Sequence, residues 1–173
     1  MKKLCLILAM VLLFAACGAP VDLTTEEGQQ TLFEKTQEAL FTYHRDIYPQ
    51  GDCDGVGFVI MGHNVEDGKV KVYTINSYGS YKEQNGAMCK TEGHACIPMV
   101  VVLEAGSLNY VEVKEPVDDA TYFQSVSELF PLADYQNRIF DLSMDDFTTI
   151  SGMEADHISK YLEENDMEMV IKY

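Results

Sequence analysis

The chain predicts an α+β fold, with an N-terminal helix packed on a four-stranded antiparallel meander sheet and short helices after it. Three observations predict it. Apolar residues recur at helical spacing between Thr25 and Arg45. Four strand-like runs between Val56 and Val113 are separated by short turn signals. Helical patterns with cap and proline punctuation follow Pro116. Strands joined by short turns pair antiparallel, and one sheet face then packs on the first helix, in a cystatin-like wrap.

The first helix carries Phe33, Leu40, Tyr43 and Ile47 on one stripe, with Leu32 and Phe41 beside it. Thr24 and Glu27 stand at capping-box spacing before it. Pro49, Gly51, Asp52, Asp54 and Gly55 break the pattern. In the first strand Val56, Phe58 and Ile60 alternate with Gly57, Val59 and Met61. Asp67-Gly68 supplies a tight hairpin turn, and Val70 to Ile75 forms the second strand. The polar stretch from Ser77 to Gly93 reads as a strand end followed by a long loop. Ile97 to Leu103, nearly all apolar, reads as a central strand. Leu108 to Val113 makes the fourth.

Beyond Pro116, Asp118 or Asp119 can cap a short helix bearing Tyr122, Val126, Leu129 and Phe130, stopped by Pro131. Tyr135 to Leu142 adds a turn or two. Ser151 and Glu154 repeat the capping-box spacing ahead of a last helix with Ile158, Tyr161 and Leu162 inward. Met167 to Tyr173 reads as a short closing strand.

The N-terminus has a different character. Met1-Lys2-Lys3 is a basic start, Leu4 to Phe14 carries no charge, and Ala15-Ala16-Cys17-Gly18 follows. This is the plan of a secretory signal, and the apolar run is shorter than the roughly 20 residues a membrane span needs. Phe14-Ala15-Ala16-Cys17 resembles the bacterial lipobox, although Phe14 stands where an aliphatic residue is usual. The resemblance implies a diacylglycerol-modified Cys17, with residues 1–16 removed, 17–23 as a tether and 24–173 as one extracytoplasmic domain. Each buried methylene of such an anchor contributes about 0.8 kcal/mol. The expected location is therefore the outer face of the cell membrane.

Of the twelve basic residues, Lys2 and Lys3 lie in the signal, so ten remain against 28 acidic ones, a net charge of −18. That balance argues against nucleic acid as a partner. Three cysteines belong to the exported part: Cys53, Cys89 and Cys96. Outside the cell thiols can pair; Cys89 with Cys96 would staple the polar loop, and pairings through Cys53 are open alternatives.

No zinc-hydrolase, nucleophile-elbow or phosphate-loop motif is present. Gly55-x-Gly57 enters a strand instead of leaving one for a helix, so it is no dinucleotide fingerprint. Cys89, His94 and Cys96 match no standard zinc spacing, so neither metal nor other cofactor is expected. His44 and His157 sit among charged neighbours on helices and read as surface residues. Tyrosine is the unusual enrichment. Tyr73, Tyr78 and Tyr81, with Lys82 and His94 on the polar segment, form the candidate ligand-binding group.

From Lys71-Val72-Tyr73 through Tyr78, Tyr81, Ile97-Pro98-Met99-Val100-Val101, Tyr110, Val113, Pro116, Asp118 and Phe130-Pro131, the order of residues resembles an uncharacterised extracytoplasmic module. That module occurs in small lipoproteins and at the C-terminus of some β-lactam-sensor antirepressor membrane metallopeptidases. Glu115 and Asp118-Asp119 depart from its usual aromatic and Asp-Gly positions, and no peptidase motif accompanies it. The resemblance implies a sensory or accessory domain without peptidase activity. The expected function is non-catalytic binding of a small molecule, peptide or cell-wall component. The alternatives are an accessory partner of a membrane protein such as a sensor peptidase, and a hydrolase with an unrecognised site.

Cys17→Ser is expected to move the protein from the membrane to the soluble fraction and to abolish labelling by a fatty-acid analogue. Equal labelling of mutant and wild type would refute the anchor.

Overall fold

A computed structural model describes residues 20–173; the signal segment and Cys17 lie outside them. The chain runs α1 (Glu26–Ile47), β1 (Cys53–Glu66), β2 (Lys69–Gln84), β3 (Ala87–Glu104), β4 (Tyr110–Lys114), α2 (Tyr122–Leu129), α3 (Ala133–Phe140), α4 (Met144–Glu164) and β5 (Val170–Lys172). The class is α+β, with the helix first, then a curled sheet, then helices.

α1 starts one residue later than its capping-box spacing suggests. Thr25 is the N-cap, and its hydroxyl accepts from the Gly28 amide at 3.0 Å. Glu26 and Glu27 in the first turn and Arg45 in the last complement the helix dipole. Leu32, Ala39 and Leu40 then face the sheet, against Val56, Phe58, Val72 and Val101.

β1 to β4 are neighbours in chain order, all antiparallel. The sheet is nevertheless mixed, because β5 adds in parallel to β3 at Ala87–Cys89. β3 is long enough to serve two partners on one edge: β4 along Val100–Leu103 and β5 near its start.

The expected long loop does not exist. β2 and β3 continue as a hairpin to Gln84 and Ala87, closed by Asn85 (φ 53°) and Gly86 (φ 75°). Asn-Gly is among the strongest hairpin signals, because both residues tolerate positive φ. Register shifts between Asn76 and Tyr78 and between Ser80 and Tyr81 bend this hairpin. Cys96 sits there at φ 51°.

The thiols change accordingly. Cys53, Cys89 and Cys96 are all free. Cys89 and Cys96 lie on the same extended strand, on the order of 20 Å apart at about 3.3 Å per residue. A disulfide needs Cα atoms about 4.4–6.8 Å apart, so the expected staple would require dismantling the β2–β3 ladder.

The sheet's second face carries the C-terminal helices. Val126 and Phe130 pack on Tyr73, Val100 and Val102; Ile158 and Leu162 pack on Tyr81 and Met88. α4 begins well before the expected Ser151. Ser143 is its N-cap, accepting from the Asp146 amide at 3.0 Å, while Ser151 bonds back to the Phe147 carbonyl within the helix. Asp146 also pairs with Arg138 of α3, at 2.9 Å from its Nε. This ion pair, through its hydrogen bonds above all, holds the Asp146 carboxyl below the ordinary range.

α4 crosses β1 and β2 at glycines. A Cβ at Gly57 would strike the Ile150 carbonyl, and one at Gly55 would stand 2.7 Å from the Glu154 carbonyl. Gly55-x-Gly57 is thus a groove for a helix.

Gly57→Ala is expected to destabilise the domain by about 1–3 kcal/mol or more, since backbone cannot yield as a side chain can. Urea denaturation followed by circular dichroism measures it, with Gly152→Ala, which meets nothing, as the tolerated control.

Candidate functional site

The close approach of α4 brings one carboxylate into the sheet. Glu154 is buried against the β2–β3 strands and accepts from three donors. Its Oε1 takes the Tyr81 hydroxyl at 2.6 Å and the Lys90 ammonium at 2.8 Å. Its Oε2 takes the Ser77 hydroxyl. Gly79 leaves room for it, because a Cβ there would collide with Oε1. A buried carboxylate requires such company, since an unpaired charge loses its hydration with no return.

Above this group opens a cleft of about 540 Å³ between α4 and the bent part of β3. Ser77, Lys90 and Glu154 form its polar floor; Cys96, Phe147, Ile150 and Ala155 contribute walls, and Tyr173 stands at the rim. Among the lining side chains only Lys90 and Glu154 are charged, and they are paired. Burial, and secondarily the Glu154 charge, push the Cys96 thiol above its ordinary value, so thiolate is disfavoured there. Burial pushes the Cys53 thiol up to about 11, and burial first, then Glu154, drives the Tyr81 hydroxyl far upward.

A second polar cluster lies on the opposite face, beneath the end of α1. His44 is fully buried, contrary to its reading as a surface residue, and stacks on Tyr78 with ring centroids 4.7 Å apart. Tyr48 stacks on Tyr78 from 5.4 Å, and His94 lies 4.7 Å from His44. The Asn76 amide donates to the Ile97 carbonyl, which turns its oxygen to His44 Nε2 at 3.0 Å. The Nδ1 of His44 and both ring nitrogens of His94 have no hydrogen-bond partner among the described residues. Burial lowers His44 to about 4; burial, then His44, lowers His94 to about 3. His157 is half-buried instead of exposed, edge-on to Phe41 and 3.0 Å from the Gln37 amide.

The tyrosines singled out from sequence are structural. Tyr78 and Tyr81 are both 0% exposed and face opposite sides of the sheet. Tyr73 packs on Phe130 and Tyr135 near the other end of β2, about 26 Å of strand from Tyr81. Lys82 is exposed near the hairpin tip, and His94 belongs to the histidine stack. These residues do not converge. The Ser77–Cys96 segment does border the cleft, but through Ser77, Lys90 and Cys96. Glu154 carried no sequence signal beyond its misleading capping-box spacing, and Lys90 none.

Among the described residues no three His, Cys, Asp or Glu side chains converge to hold a metal, and no helix is long and apolar enough to cross a membrane. No family model, curated protein or solved structure matches the chain.

The histidine stack makes stability fall with acid. Lowered folded values mean that the unfolded chain binds more protons below about pH 6.5. The contribution is whole above that point and declines as pH falls toward 4 and 3, the folded values. From pH 6.5 to 5 each histidine is expected to cost about 2 kcal/mol of stability. Denaturation across this window tests it; the double variant His44→Phe, His94→Phe should show a flatter slope.

Proposed function

We propose that this chain is a non-catalytic binding protein, held at the outer face of the cell membrane by lipid on Cys17, that takes a small molecule, peptide or wall component into the α4–β3 cleft. The observation that carries this reading is the cleft itself. Its volume of about 540 Å³ falls in the range of ligand sites, roughly 300–1,000 Å³, and such sites combine apolar walls with a few fixed polar groups. Its floor is held rigid by four side chains from three elements. The resemblance to the antirepressor-associated module supports a sensory role, and the helix across the curled sheet supports a cystatin-like wrap. In the cleft, Ser77 is 4% exposed with its hydroxyl already committed to Glu154, and burial disfavours thiolate at Cys96; both favour binding over catalysis.

A second reading, an accessory partner of a membrane protein, is favoured by one surface feature. Phe123 and Phe140 are 69% and 50% exposed and lie with centroids 5.2 Å apart on the C-terminal helices.

A fragment screen of the full-length chain by NMR is expected to map shifts onto Ser77, Cys96 and Ile150. Ala155→Phe, which fills the cleft, should abolish them with little change in melting temperature. Ligand at a hundred times its Kd should stabilise the protein by about 2.7 kcal/mol. Shifts confined to Phe123 and Phe140 would favour the accessory reading.

A further inference from the structure

The floor of the cleft has a defined hydrogen-bonding remainder. The Lys90 ammonium has three N–H donors. One goes to Glu154 at 2.8 Å and one reaches the His94 carbonyl at 3.5 Å, so one is left for the cleft that Lys90 lines. The Ser77 hydroxyl spends its only hydrogen on Glu154, so toward the cleft its oxygen can only accept. Glu154 has about four lone-pair sites, three of them occupied. One donor, on Lys90, and two acceptors, the Ser77 oxygen and the last Glu154 site, therefore lie side by side, on a floor without net charge and under apolar walls.

On the strength of the binding function proposed above, we propose that the cleft selects a neutral secondary amide attached to an apolar group, as in a short apolar peptide, over the corresponding acid or amine. The amide carbonyl accepts from Lys90 while its N–H donates to Ser77 or Glu154, so both groups are satisfied together. A ligand carboxylate would meet Lys90 but also the like charge of Glu154. A ligand ammonium would meet Glu154 but also Lys90. In either case attraction and repulsion offset each other while the ligand's charge loses its hydration. The apolar side chain goes to the wall formed by Phe147, Ile150 and Ala155.

Isothermal titration of the full-length chain with N-acetyl-leucinamide, N-acetyl-leucine and leucinamide tests the ranking. The neutral amide is expected to bind at least tenfold more tightly than either charged probe. Glu154→Gln leaves Lys90 without its partner and is expected to turn the preference toward N-acetyl-leucine; if that variant fails to fold by circular dichroism, the wild-type ranking alone decides. Equal or tighter binding of the acid or the amine overturns the amide assignment but leaves the cleft as a binding site. Silence from all three probes, when other fragments map to the cleft, likewise overturns the assignment alone. Fragments that avoid the cleft altogether overturn the binding function, and this assignment with it.

Discussion

The burial of Glu154 is the constraint around which this fold is arranged. A carboxylate carried into a sheet by a helix needs several donors already in position. They come from β2 and β3: Ser77, Tyr81 and Lys90. The helix can come close enough only because Gly55, Gly57 and Gly79 leave no side chains in its way. Glycine groove and buried ion pair are thus two halves of one docking, and both are needed. Removing Lys90 alone would leave a buried charge without compensation, whereas an apolar pair in the same space would be tolerated far better. A polar group kept in so costly a place, beside an open cleft, is what directs attention to function there.

The curl of the sheet follows from the same region. Irregularities near Ser77 and Tyr81 on β2, opposite Thr91, Ala95 and Cys96 on β3, bend the long hairpin toward α4. Bulges increase local twist and re-aim side chains. Here they place Lys90 over Glu154 and Cys96 in the cleft wall. β5 then pairs beside the start of β3 and brings Tyr173 to the rim. The result is a three-layer domain whose second helical layer is fastened by polar contacts at one end and by Val126 and Phe130 at the other.

The first layer repeats the theme in neutral form. His44, Tyr48, Tyr78 and His94 stack beneath the end of α1, and Asn76 fixes one imidazole. Keeping two imidazoles uncharged in contact ties the integrity of this end of α1 to pH. The two polar clusters share the β2 segment from Asn76 to Tyr81, whose alternate residues point to opposite faces. One strand segment therefore anchors both helical layers.

Local chemistry in the sequence determined the class and most elements: the stripe of α1, the Asp67-Gly68 turn, the apolar run of β3 and the Pro131 stop are nearest-neighbour effects. Asn85-Gly86 was equally legible, and the polar composition around it concealed a hairpin behind the look of a loop. What sequence could not carry was pairing across distance. Glu154 lies 64 residues from Lys90 and 77 from Ser77, and its spacing from Ser151 imitated a helix start. His44 looked like a surface residue, and Tyr78 and Tyr81 like parts of a binding surface, because polar tips and charged neighbours say nothing of what packs above them. Periodicity in a chain assigns faces; only the tertiary structure decides which faces meet, because burial is a property of the partner as much as of the residue.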